Sequence, residues 1–439
     1  MRGSYGQAGG RRGRFTSGRG RLAMAAISAA AALLGVAACS GSGPAAGGGK
    51  PTASHRASQA AATAGLTISP ASGTRNADPG HGITVTASHG KIEHVTVHAG
   101  DGTVAGTLNQ AGTVWRSQWA LSVSKSYTVI ASATNPAGQT VTTTSSFRTL
   151  TPHQTFQTQI FEGNNKTFGV GMPIMLTFSH PISDKAAVER ALQVTTSKPV
   201  VGAWDWQGDE QLDFRPQSYW PAHTTVSFTG HLNGVQGAPG VYGYHTLTQT
   251  FRIGASLIVV ASTASHHMSL YRDGHRIHYW SISTGRPGDN TPNGTYLTID
   301  KGNPVDMKGP GYNIEVPWSV RFTWSGDYLH DAYWSVGEQG FTNVSHGCVN
   351  MAPANAQAYY GMEVPGDPVT VTGSPRGGTW GNGWTDWFLS WKQLLKGSAL
   401  HEAVQAGPQG SKFVDPDSVP AANTTAPLQT SRSDNAAAA

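Results

Sequence analysis

Short apolar runs alternating with polar residues dominate the chain from about Leu66 to Ile253. Ile83-Thr84-Val85-Thr86-Ala87, Val95-Thr96-Val97-His98 and Tyr127-Thr128-Val129-Ile130-Ala131 each set apolar side chains two residues apart, with Gly-rich or Asn-Pro turns between the runs. A period of two belongs to strands with one face on a core and one in water, so residues 66–150 are expected to fold as a β-sandwich. Ile174-Met175-Leu176-Thr177-Phe178, Gln211-Leu212-Asp213-Phe214 and Thr225-Val226-Ser227-Phe228 predict a second sandwich over residues 151–253. The strand spacing of both is immunoglobulin-like, without a disulfide to support the label.

Past Gly254 the pattern becomes strand-rich and aromatic. Leu257-Ile258-Val259-Val260-Ala261 reads as a buried strand, and Ser269-Leu270-Tyr271-Arg272, Asp273-Gly274 and His278-Tyr279-Trp280-Ser281-Ile282-Ser283 read as a hairpin closed by a tight turn. Pro353 to Tyr360 predicts a short helix with proline at its start and Gly361 at its end. Trp384, Trp387, Phe388, Trp391 and Leu395 fall at helical spacing, so residues 374–406 are expected to form an aromatic helical segment docked on the preceding domain, residues 254–373. That segment is short and weakly cationic, which disfavours a membrane-surface role. Two stretches are too small and polar to bury a core: a Gly/Ala/Ser/Thr tether within residues 39–65 and a low-complexity tail, residues 407–439, expected to be disordered.

Composition fits this reading. At 439 residues, with 55 glycines, 25 prolines and 13% charged residues, the chain suits several loop-rich β domains. The formal charge of +5 invites a nucleic-acid partner, but its location removes that reading. Arg2, Arg11, Arg12, Arg14, Arg19 and Arg21 all precede Cys39 and no acid does, so taking six positive charges from +5 leaves −1 on the remainder. The same stretch, residues 1–38, resembles an export signal: an arginine-rich start and an apolar run from Leu22 to Ala38, short for a membrane span. Its end, Val36-Ala37-Ala38-Cys39, resembles a lipobox, which implies diacylation of Cys39 and anchoring on the outer face of the cell membrane. An ordinary signal peptide with an incidental cysteine is the plainer alternative.

The chain has two cysteines. With Cys39 committed to lipid beside a flexible tether, Cys348 is left unpaired in an oxidising compartment, which asks for a chemical reason. Acyl transfer by cysteine needs a thiol, a base, a group to orient the base, and donors for an oxyanion. Cys348 follows Gly347, which permits a tight turn, and precedes the expected helix, whose N-terminal dipole would favour a thiolate. His346 and His330 compete for the base, and spacing does not choose between them. His330, His346 and Cys348 also have the residue types for zinc, but no fourth ligand or finger spacing accompanies them.

The runs His330-Asp331-Ala332-Tyr333-Trp334-Ser335 and Ser345-His346-Gly347-Cys348-Val349-Asn350-Met351, with Thr291-Pro292-Asn293-Gly294-Thr295-Tyr296 upstream, resemble the signature of YkuD-type L,D-transpeptidases over about Ser256 to Thr372. The whole layout is similar to actinobacterial lipoprotein members: mainly β, two immunoglobulin-like sandwiches, a β-rich catalytic domain and a short C-terminal helical segment. The resemblance implies a Cys348 nucleophile with His330 as base, oriented by Asp331 where relatives commonly carry serine and use its carbonyl. It implies that Ser345, His346, Gly347 and Asn350 shape the pocket and oxyanion environment, and that Tyr312 gates substrate. It further implies that no cofactor is needed, that peptidoglycan stem peptides are substrates, and that carbapenems inactivate the enzyme. The reaction expected is D-Ala release from a tetrapeptide stem and a 3→3 crosslink through a thioester. The rivals are a non-catalytic wall-binding lipoprotein and an enzyme of the same fold whose acceptor is water or a protein amine.

Overall fold

The computed structural model describes residues 62–100, 102–309 and 312–420. Cys39, the stretch expected to be an export signal and most of the expected tether lie outside the described residues. Among the described residues no helix is long and apolar enough to cross a membrane.

The first sandwich pairs a sheet of Gly65–Ser69, Thr84–Ser88, Val114–Ser117 and Gly106–Leu108 with one of Gly102–Thr103, Lys91–Ala99, Ser126–Thr134 and Thr140–Arg148. The strand Ser126–Thr134 shows why: Tyr127, Val129, Ala131 and Ala133 point into the core while the residues between them face outward. Asn135 ends that strand, its carboxamide oxygen accepting from the N–H groups of Ala137 (3.1 Å) and Gln139 (2.9 Å), so the Asn-Pro turn fixes the hairpin register.

The second sandwich has a four-stranded sheet of Thr167–Phe168, Leu247–Ile253, Thr225–Gly230 and Leu192–Thr196. Facing it is a six-stranded sheet of Thr158–Ile160, Ile174–Phe178, Gln211–Pro216, Val200–Trp206, Ala403–Gly407 and Gly410–Val414. The last two strands correct the expectation for the C-terminus. A hairpin from the stretch read as helical segment and disordered tail completes the second sandwich and buries Val404 and Ala406 in its core.

The aromatic segment is also not one helix. A single 3₁₀ turn, Asp386–Phe388, is followed by a break and a separate helix, Trp391–Gly397, started by a capping box between Ser390 and Gln393. Its side chains divide between two domains. Trp387 donates to the Gly171 carbonyl (2.7 Å) in the second sandwich, and Phe388 meets Tyr296 edge-on at 5.0 Å in the third domain.

That third domain holds a five-stranded sheet in the order His275–Ser281, His267–Arg272, Leu257–Ser262, Pro368–Thr372, Gly294–Leu297. A four-stranded sheet follows in the order Asp300–Gly302, Ser319–Arg321, Tyr328–Asp331, Val349–Met351. The expected hairpin is the His267–Arg272 and His275–Ser281 pair, and the expected helix spans Pro353–Met362. The second sandwich and this domain share apolar core: Ile258, Leu297 and Ile299 pack in one cluster with Val170, Met172 and Trp220. Backbone N–H groups of Gly169 and Gly171 donate to the carbonyls of Pro365 (2.8 Å) and Gly366 (3.0 Å) and join the two domains further.

Candidate active site

The site forms where two strands far apart in sequence meet in parallel. Tyr328–Asp331 pairs with Val349–Met351 in the register Leu329 to Val349, His330 to Asn350 and Asp331 to Met351. Leu329 and Val349 turn into the domain core, so alternation sends His330 and Asn350 to the opposite side. Cys348 stands one residue before its strand, in a bend after Gly347. Gly347 has φ +131°, a region open to glycine, and a Cβ built on it would lie 2.5 Å from Asp327 Oδ1. Ser345 braces this bend: its hydroxyl donates to the Cys348 carbonyl (2.6 Å) and accepts from the Gly347 N–H (3.1 Å). Thr291, from the upstream Thr-Pro-Asn-Gly run, donates to the Gly347 carbonyl (2.7 Å) and accepts from the Gly285 N–H (2.9 Å).

His330 is buried, with Nδ1 2.7 Å from the Asp331 carbonyl oxygen. That bond assigns the proton to Nδ1 and leaves Nε2 as the basic nitrogen. Asp331 therefore orients the imidazole through its backbone, while its carboxyl, whose pKa burial pushes up, keeps Oδ1 buried and unpartnered. Burial pushes the His330 pKa down to about 4, the Asp331 carbonyl acting weakly the other way. Burial likewise pushes the Cys348 thiol up to about 12, against the Tyr328 backbone N–H and helped by the Asp327 charge. The resting state is thus a neutral thiol and a neutral imidazole. The thiolate expected from a helix dipole is not favoured: the helix starts at Pro353, after an intervening strand, and a dipole acts only within its first turn.

The remaining predicted residues divide. His346 is exposed and leans on Tyr312, their rings 5.0 Å apart at 34°, and Tyr312 pairs with Gly309 at the closing end of the hairpin formed by Val305–Gly309 and Tyr312–Val316. Asn350, expected to meet substrate, is buried, and its amide donates to Ser335 Oγ (3.0 Å), holding the turn Tyr333–Ser335 over the site; this corrects the sequence-based role. The N–H of Gly347, expected among the oxyanion donors, is occupied by Ser345. Among the described residues no group of three His, Cys, Asp or Glu is placed to hold a metal ion.

Two contributors escaped the sequence reading. Asp327 is buried against Gly347, its Oδ2 accepting from Thr323 Oγ1 (2.7 Å) and Ser325 Oγ (3.2 Å). Asn343 ties the loop before Cys348 to the sheet, its carboxamide oxygen accepting from the Thr284 N–H (3.0 Å) and hydroxyl (2.8 Å) and its nitrogen donating to the Thr263 carbonyl (2.9 Å). Neither belongs to a recognisable spacing; only the Gly326-Asp327 pair, just ahead of the His330 strand, hinted at a turn there.

A half-buried cysteine at one strand end and a buried, tautomer-fixed imidazole on its neighbour are the parts used in acyl transfer by cysteine. Comparison with known proteins agrees with that class. Residues 256–371 match the YkuD family, L,D-transpeptidase catalytic domain, and residues 74–236 match a bacterial Ig domain. L,D-transpeptidase 5 of Mycobacterium tuberculosis is 34% identical over 348 residues, 76% of this chain and 77% of that protein. L,D-transpeptidase 2 of the same organism is 32% identical over 330 residues, 72% of this chain and 80% of that protein. A solved structure of the L,D-transpeptidase LdtMt1 in complex with imipenem is 33% identical, with a TM-score of 0.43, over 50% of this chain and all of that one. The chain belongs to the L,D-transpeptidase family.

Proposed function

We propose that this L,D-transpeptidase makes 3→3 peptidoglycan crosslinks through a thioester on Cys348, with His330 as general base, on the outer face of the membrane where Cys39 carries lipid. The observation that carries the reading is the pairing of Tyr328–Asp331 with Val349–Met351, which brings the Nδ1-anchored His330 beside the strand that Cys348 leads.

The protonation states shape the mechanism. With the thiol near 12 and the imidazole near 4, a standing thiolate–imidazolium pair is uphill, so the proton passes from sulfur to Nε2 as sulfur attacks the carbonyl before the terminal D-Ala. The N–H of Cys348, following the bend at Gly347, is the donor proposed for the oxyanion. The imidazolium returns its proton to the departing D-Ala amine, leaving the thioester and a neutral His330. Tyr312, leaning on His346, closes over the stem. A carbapenem ring opened by Cys348 leaves a thioester of the same kind, which makes carbapenems inactivators.

Incubation with a carbapenem followed by intact-protein mass spectrometry tests the reading. The expected result is one added drug mass on the wild-type chain, lost in Cys348→Ala and slowed by about 10²-fold or more in His330→Ala, the range for removing a general base. A wild-type chain that takes up no mass and releases no D-Ala from a tetrapeptide stem overturns it.

A further inference from the structure

Asp327 works against the nucleophile. Its charge raises the Cys348 pKa, and its own carboxyl is raised by burial, so it hinders the first half of the reaction while being unfavourable to ionise where it sits. Its position is nevertheless built. The Thr323 and Ser325 hydroxyls both bind Oδ2, and the Thr323 hydroxyl also accepts from the Asp327 N–H (2.8 Å), leaving Oδ1 aimed at Cα of Gly347. Among the described residues no donor reaches Oδ1. The adjacent Gly326 carbonyl lies 3.8 Å from the Cys348 sulfur, so this turn forms one wall of the site. The other ionisable groups facing it are Tyr296, Tyr312 and Arg376, and Arg376 is exposed and turned to the Asn290 carbonyl (3.2 Å). A buried carboxylate with a free oxygen, held beside a thiol it disfavours, is explained by a cation that arrives later in the cycle.

Building on the thioester reading, we propose that Asp327 receives the ammonium group of the acceptor stem and thereby selects an amine over water to relieve the acyl-enzyme. The bound ammonium releases one proton to solvent, the amine nitrogen attacks the thioester carbon, and the C–N bond forms as the C–S bond breaks. The second proton passes through neutral His330 to the departing sulfur, restoring the Cys348 thiol. Water offers no positive charge to Asp327 and gains nothing from it.

The test measures how the acyl-enzyme divides between crosslinked dimer and hydrolysed tripeptide, using a tetrapeptide stem that serves as donor and, through its side-chain amine, as acceptor. Asp327→Asn is expected to lower the dimer-to-tripeptide ratio by about tenfold or more, with Asp327→Glu restoring part of it, the scale of one charge-assisted contact. Carbapenem adduct formation in Asp327→Asn is expected to be faster than in wild type, which also shows that the variant is folded. In the wild-type chain, a stem whose acceptor amine is trimethylated keeps the charge but cannot react, and is expected to inhibit dimer formation where its N-acetylated counterpart does not. An unchanged ratio in Asp327→Asn, or equal inhibition by the two blocked stems, overturns the proposal while leaving the thioester reading intact. A wild-type chain that forms no adduct and releases no D-Ala overturns both.

Discussion

At the scale of single residues, burial rather than a neighbouring charge sets the chemistry of the Cys348–His330 pair. Burial keeps thiol and imidazole both neutral between about 4 and about 12, and the proposed reaction needs both in that form. Carbapenem acylation plotted against pH is therefore expected to be flat from about 5 to 10 and to fall on the acid side as His330 protonates near 4. A limb rising near about 8.5, the ordinary thiol value, would point instead to a freely titrating thiolate. Gly347→Ala is expected to abolish adduct formation, because its Cβ would sit 2.5 Å from Asp327 Oδ1 at a φ of +131°. Asp331→Ser should leave acylation within about threefold of wild type and stabilise the chain by about 1 kcal/mol, since only the backbone carbonyl holds His330 and the carboxylate has a buried, unpartnered oxygen. Urea denaturation alongside the adduct assay checks both halves of that statement. The candidate nucleophile was legible in the sequence because Cys348 is one of only two cysteines and stands in the run Ser345-His346-Gly347-Cys348 that resembles a family signature. Spacing did not choose between His330 and His346, and only the family resemblance pointed to His330; which backbone carbonyl meets Nδ1 and which strand pairs with which arise only from the sheet.

At the scale of elements, the strands were readable and the C-terminus was not, for a physical reason. A two-residue period reports which face of a strand is buried, as in Ser126–Thr134, whatever the strand packs against. The aromatic spacing from Trp384 to Leu395 imitates a helix, but the extended residues Leu389 and Ser390 separate the 3₁₀ turn Asp386–Phe388 from the helix Trp391–Gly397, giving short pieces whose aromatics serve two domains. The strands Ala403–Gly407 and Gly410–Val414 look like low-complexity sequence because what makes them strands is the open edge of Val200–Trp206. Glu189 fastens this region: its buried carboxylate accepts from Trp206 Nε1 (2.8 Å), Ser398 Oγ (2.7 Å), the Ala399 N–H (2.6 Å) and the Leu400 N–H (3.3 Å). Glu189→Ala strands those donors and is expected to destabilise the chain by about 3 kcal/mol in urea denaturation. An unshifted unfolding midpoint would mean that the C-terminal hairpin holds without it.

At the scale of the whole molecule, the second sandwich, the catalytic domain and the C-terminal segment meet over buried acids, and this gives stability a direction with pH. Burial raises Glu162 from 4.5 to about 8 and Asp205 from 3.8 to about 7, and also raises Asp213 and Asp386, while Arg215 is the buried guanidinium beside them. In the unfolded chain these carboxyls ionise near their ordinary values, whereas in the fold they hold their protons to higher pH. Their contribution is therefore complete below about 4 and is lost as pH rises through 7 and 8. His330 acts in the opposite sense: its lowered folded pKa removes stability as pH falls from 6.5 toward 4. Several acids oppose one histidine, so the melting temperature is expected to peak in mildly acidic solution and to drop by about 5 °C or more between pH 6 and 9, the shift that 1–2 kcal/mol produces in a domain of this size. Asp386→Asn removes one of the coupled charges and should flatten that alkaline decline without changing carbapenem adduct formation, because Asp386 lies at the domain junction and outside the Cys348 site. A melting temperature that climbs steadily from pH 6 to 9 would mean that these carboxyls are solvated and ionised in the folded protein, and that the shared apolar core alone joins the sandwich to the catalytic domain.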